Sequence, residues 1–86
     1  MWIRTADRRV LYFDSVNDVD MIDSEDLANK LLRVNTSDRG VVELCRGSAG
    51  YIQRRHDWLL DALCYDRFEF LESRATAEFT NEPLTV

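Results

Sequence analysis

Two runs rich in branched aliphatic side chains, Lys30–Thr36 and Val41–Cys45, stand on either side of the tetrapeptide Ser37-Asp38-Arg39-Gly40. This arrangement restricts the fold more than any other in the chain. A period of two puts Leu32 and Val34 on one side of the first run and Arg33 and Asn35 on the other. Gly40 supplies the positive φ that a tight turn needs. The pattern predicts an antiparallel hairpin with one apolar face, and such a face has to be covered.

The predicted cover follows directly. Gly47-Ser48-Ala49-Gly50 breaks the sheet, and Ser48 is placed to cap a long helix that starts near Ala49 and runs toward residue 72. Ile52, Leu59, Leu60, Leu63 and Cys64 form one stripe at helical spacing, with His56 one turn before Leu60. Tyr51, Trp58, Ala62 and Tyr65 widen it, and Phe68, Phe70 and Leu71 extend it. Upstream, residues 2–5 and 9–13 read as a hairpin. Residues 16–22 read as a third strand, with Val19 and Met21 facing inward and Asp18 and Asp20 wet. Residues 24–32 fit a loop leading into a strand. They also fit a short helix capped by Ser24, because Leu27, Ala28, Leu31 and Leu32 have helical spacing. Residues 75–80 read as an edge strand or a loose tail, and residues 81–86 as a flexible tail. The predicted fold class is α+β: one antiparallel meander of four to five strands packed by one long C-terminal helix, in a single domain over residues 1–80. A chain of 86 residues buries about 64% of its surface on folding, enough for one modest core.

The residue types present exclude most enzyme chemistries. Cys45 and Cys64 form neither a disulfide framework nor a C-x-x-C motif, and are expected as two reduced, buried thiols. His56 is the one histidine. Cys64 lies eight residues from it, about 12 Å along a helix, beyond direct contact. No Gly-rich phosphate loop or dinucleotide fingerprint is present. Calcium loops beginning at Asp14 or Asp18 would put Val19 or Asp23 where the sharp turn requires glycine. No metal, cofactor or catalytic residue is expected.

Charge is more informative. The net charge of −5 is distributed in blocks. Residues 1–13 carry +2. Asp14, Asp18, Asp20, Asp23, Glu25 and Asp26 make the next thirteen residues −6. Residues 27–56 carry +4 and the remainder −5. Asp57 and Asp61 lie one helical turn apart and repel slightly. Acidic surfaces of this kind complement a basic partner, and alternate strand carboxylates stand ~6.6–6.8 Å apart, near the phosphate repeat of one DNA strand. Arg46, Arg54 and Arg55 at the helix start would meet the 14–26 acids across the fold, or the acids of a second copy. The aromatics Trp2, Tyr12, Phe13, Trp58, Tyr65, Phe68 and Phe70 are more than so small a core can enclose, which makes Trp58, and Tyr12 opposite Phe13, candidate interface anchors. The expected partner-binding residues are Asp14, Asp18, Asp20, Asp23, Glu25, Asp26, Asp57, Trp58 and Asp61.

The opening Ile3-Arg4-Thr5-Ala6-Asp7-Arg8-Arg9-Val10-Leu11-Tyr12-Phe13-Asp14 resembles that of some small uncharacterised bacterial proteins, which begin with an I-R-T-x-D-G-R hairpin and continue as a meander ending in a helix. Arg8 stands where they have the turn glycine. In size, acidity and lack of enzyme motifs the chain is similar to phage-encoded inhibitors such as anti-CRISPR proteins. The function expected is a non-catalytic, cytoplasmic protein-binding module. It would act as an inhibitor docking on a basic nucleic-acid-binding surface of its target, with no membrane contact and no direct nucleic-acid binding. A homodimer or other homo-oligomeric accessory protein is the alternative, and a small cysteine enzyme using His56 the third reading.

Overall fold

A computed structural model describes residues 2–25, 28–64 and 76–82. The elements are β1 (Trp2–Arg4), β2 (Val10–Tyr12), a 3-10 turn (Phe13–Ser15), β3 (Val16–Asp23), β4 (Lys30–Thr36), β5 (Gly40–Gly47), α1 (Ala49–Cys64) and β6 (Thr76–Glu78). The fold class is α+β, but the strands form two three-stranded sheets instead of one meander. The first has the order β2-β1-β6 and the second β3-β4-β5. Two features produce the split. The 3-10 turn, with Phe13 buried inside it, interrupts the path from β2 to β3. β6 then pairs with β1 in parallel, Ile3 opposite Ala77, and takes the place a fourth meander strand would need. The helix is therefore followed by a strand and is not C-terminal. Its predicted extension toward residue 72 falls outside the described residues, as does Asp26. Lys30–Thr36 is strand, and the flanking Ser24 amide donates to the Asn29 carbonyl at 3.2 Å across the preceding loop.

The β4–β5 turn and the β1–β2 turn each use a buried threonine. Thr36 Oγ1 accepts from the Arg39 amide at 3.0 Å and donates to the Gly40 carbonyl at 2.9 Å, and Gly40 has φ +69°. In the β1–β2 turn, Thr5 Oγ1 accepts from the Arg9 amide at 3.0 Å and donates to the Asp7 carboxylate. There the left-handed residue is Arg8, at φ +68°. A residue with a Cβ thus adopts a conformation that glycine takes more readily.

Each sheet buries one face. Ile3, Leu11 and Ala77 point inward from the first sheet; Val19, Leu32, Val34 and Val42 do so from the second. A bulge in β5 lets two neighbours go inward together. Pairing passes from Leu32–Cys45 to Arg33–Glu43, so Leu44 is the extra residue and both Leu44 and Cys45 are buried. The freed Leu44 carbonyl accepts from the Ala6 amide at 2.8 Å and ties the two sheets together. Ile52, Leu59 and Ala62 of α1 complete the same core, with Phe13 and Phe79 enclosed at its corners. Leu60 and Cys64, placed on the apolar stripe by the sequence pattern, are exposed instead.

The helix N-terminus is held from a distance. Ser48 Oγ accepts from the Tyr51 amide at 3.3 Å, as an N-cap should. A capping box would use the residue at Tyr51's position to satisfy the Ser48 amide. Here Glu82 does so, accepting at 2.5 Å. The Ser48 amide, then its hydroxyl, hold the Glu82 carboxyl below its ordinary value, with Arg54 adding to the effect. Asn81 and Glu82, expected in a flexible tail, also bind β5: the Arg46 amide donates to Asn81 Oδ1 and the Glu82 amide to the Arg46 carbonyl, both at 2.9 Å. Gly47 lies beneath this clasp. A Cβ there would stand 2.7 Å from Glu82 Cβ and 2.8 Å from Tyr51 Cδ2.

Candidate protein-interaction surface

The predicted acidic residues do not share one face. Asp18 and Asp20 project from the outer face of the second sheet, and strand alternation sends Asp23 to the opposite side. Asp14 lies in the 3-10 turn and Glu25 in the loop after β3, both exposed. Asp57 and Asp61 lie on the exposed side of α1, away from the Ile52–Leu59 stripe. The helix covers the inner face of the second sheet, so Asp57 and Asp61 lie on the other side of that layer from Asp18 and Asp20.

Several of these acids have local partners. Arg33 grips Asp20 through Nε and a terminal nitrogen at 3.2 and 3.0 Å, which also raises the guanidinium's own proton affinity. Lys30 meets Asp23 at 2.7 Å. Both bases come from β4, one strand over, and not from the helix start. There Arg46 lies 3.8 Å from Glu43, while Arg55 donates to the Glu78 carbonyl and stacks over the Phe79 ring at 4.6 Å. Asp57 accepts from Gln53 at 2.8 Å and lies 3.1 Å from His56 Nδ1. The His56 ring first, and Gln53 second, hold its carboxyl low. Trp58 is half-buried, its ring meeting Phe79 edge-to-face at 6.1 Å, which commits it to the core.

The two thiols lie in different surroundings. Cys45 is fully buried, and desolvation pushes its thiol up to about 11, opposing thiolate formation. Cys64 is exposed, contrary to the expectation of two buried thiols. Among the described residues no three His, Cys, Asp or Glu side chains cluster to hold a metal ion. A polar cleft of about 310 Å³ between the β1–β2 turn and β5 is lined by Asp7, Glu43, Arg46 and Asn81. These side chains already meet neighbours: Asp7 pairs with Arg9 at 3.2 Å, and Thr5 holds its carboxyl low.

Among the described residues, exposed large apolar side chains gather on the first sheet, where Trp2, Val10 and Tyr12 stand together. All three strands alternate exposed-buried-exposed, so their outer residues form one small face. Trp2 and Tyr12 are direct cross-strand partners with ring centroids 4.9 Å apart in an edge-to-face contact. Val10 lies beside them, opposite Arg4. The exposures are 50% for Trp2, 46% for Tyr12 and 42% for Val10, against 0% and 2% for Ile3 and Leu11 behind them. Arg4 and Glu78 close one end with a 2.8 Å ion pair. Trp2, Arg4, Val10 and Thr76 line a shallow groove of about 270 Å³. The sequence marks Tyr12 as an anchor candidate and does not mark Trp2. The signal was present: Trp2 and Arg4 share a side in any strand that buries Ile3.

Among the described residues no helix is long and apolar enough to cross a membrane. No protein-family model matches the chain, and neither curated proteins nor solved structures provide a match.

Proposed function

We propose that the protein is a non-catalytic binding module that docks through the outer face of its first sheet on a protein with a basic surface. One observation carries this reading: Trp2, Val10 and Tyr12 are left together in water by a fold that buries the residues directly behind them. Edge-to-face aromatics with polar tips supply large contact area at low entropic cost and dominate binding energy where they occur. The net charge of −5 favours a basic partner and raises the rate of encounter more than the strength of the complex. A phage-encoded inhibitor that occupies the nucleic-acid site of its target is one form of this role, and the size and acidity of the chain suit it. Close imitation of a phosphate row suits it less, because Asp20 and Asp23 already hold Arg33 and Lys30.

The test is affinity capture by wild type, Trp2→Ala/Tyr12→Ala and Asp18→Lys/Asp61→Lys, each confirmed as folded by circular dichroism. The aromatic variant is expected to lose the basic proteins that wild type retains at about 0.15 M salt. The charge-reversed variant is expected to retain them while binding more slowly. Equal capture by wild type and the folded aromatic variant would overturn the reading.

A further inference from the structure

Among the described residues, the outer edges of three strands already carry contacts. The Arg39 guanidinium donates to the Val10 carbonyl at 3.0 Å on the edge of β2, and Arg55 donates to the Glu78 carbonyl on the edge of β6. The free side of β5 is taken by Ala6, Asn81 and Glu82. β3 is different. It has eight residues, and among the described residues no strand lies beyond it. The Val19 amide, which points away from β4, donates to the Asp18 carboxylate of its own strand at 2.9 Å. Strand alternation then sends the amides and carbonyls of Met21 and Asp23 outward as well.

We infer that the β3 edge accepts an extended peptide segment carrying Lys or Arg at alternate positions, which adds to the second sheet as a fourth strand. Main-chain pairing supplies the attachment and alternate side chains the selectivity. An incoming strand sets residues two apart opposite Asp18 and Asp20, where bases are complementary. The Asp18 carboxylate acts as a latch. It occupies the Val19 amide when the edge is empty and turns outward to an incoming ammonium. Arg33 holds Asp20 on its β4 side, and a carboxylate has lone pairs to spare for a second donor. A second copy is a poor occupant, because β3 against β3 would oppose acids to acids, which protects the edge from self-pairing. This site is separate from the aromatic face, so its failure leaves the docking proposal standing.

The probe is the peptide fluorescein-Thr-Lys-Val-Lys-Val-Thr-amide, labelled at its N-terminus so that both lysines stay charged, read by anisotropy and by amide shifts in ¹⁵N spectra. Saturable binding is expected, with the largest shifts at Val19, Met21 and Asp23 and none at Trp2 or Tyr12. Asp18→Asn/Asp20→Asn, at exposed positions, should weaken binding about tenfold. Replacing the peptide lysines by glutamates should abolish binding, and N-methylating alternate peptide amides should abolish it with charge unchanged. Equal binding of the N-methylated peptide would reduce the effect to charge adsorption and overturn the inference. So would no binding up to about 1 mM peptide, or self-association of the chain through β3.

Discussion

Arg8→Gly should stabilise this protein. Arg8 holds φ +68° in the β1–β2 turn, its amide donating to the Thr5 carbonyl at 3.0 Å. For an L-residue with a Cβ the left-handed region costs about 1–2 kcal/mol, which glycine avoids. Glycine returns about 0.5–1 kcal/mol of that as extra freedom in the unfolded chain. The turn's hydrogen bonds come from backbone atoms and Thr5, so they survive the substitution. The net gain is about 0.5–1 kcal/mol, or about 3–6 °C in Tm for a domain of this size. Arg8→Ala is the control, because alanine keeps the Cβ and should leave Tm nearly unchanged. Gly40→Ala is the reciprocal experiment. Gly40 has φ +69° and nothing within 4 Å of an added Cβ, so its cost of about 1 kcal/mol is conformational and not steric. The assay is thermal and urea unfolding of the four proteins. Equal Tm for Arg8→Gly and Arg8→Ala, or a loss of stability in Arg8→Gly, would refute the reasoning.

Three further outcomes follow from the clasp and the thiols. Gly47→Ala should lower stability by about 1–3 kcal/mol in urea unfolding, because its Cβ meets Glu82 Cβ and the Tyr51 ring instead of open space. The folded-state pKa of Glu82 is depressed, so its contribution is present above the unfolded value near 4.5 and is lost as pH falls through the folded value. Urea midpoints at pH 7 and pH 3 should therefore differ less in Glu82→Gln than in wild type; an identical pH response would contradict the clasp. A thiol reagent should label Cys64 promptly and Cys45 only on unfolding, and two fast thiols in the folded protein would contradict the burial of Cys45.

What was legible in the sequence was local. Lys30–Thr36 appears as a strand at the boundaries its alternation predicts, and Ser48 caps a helix that begins at Ala49. Both follow from interactions within a few residues. The division into two sheets was not legible, because it depends on Ile3 meeting Ala77 across most of the chain, and a three-residue strand carries little periodic signal. The inward pair Leu44–Cys45 breaks strict alternation, and a bulge becomes visible only once register is known. The acidic block was legible as charge but not as geometry. Six acids in thirteen residues look like one surface, yet strand parity separates Asp23 from Asp18 and Asp20, and Arg33 and Lys30 arrive from the next strand. Trp2 illustrates the opposite case. Its exposure follows from sharing a side with Arg4, and its meaning as a patch needs Tyr12 and Val10 beside it.

The most direct test of the docking face is photocrosslinking from two single positions. A benzophenone side chain replaces Tyr12 in one protein and Leu60, exposed on the helix, in the other. Position 12 should crosslink to a basic protein, with the adduct suppressed by excess unlabelled wild type and not by Trp2→Ala/Tyr12→Ala. Position 60 should yield none. A competable adduct from position 60 with none from position 12 would contradict the assignment of the first sheet as the docking face.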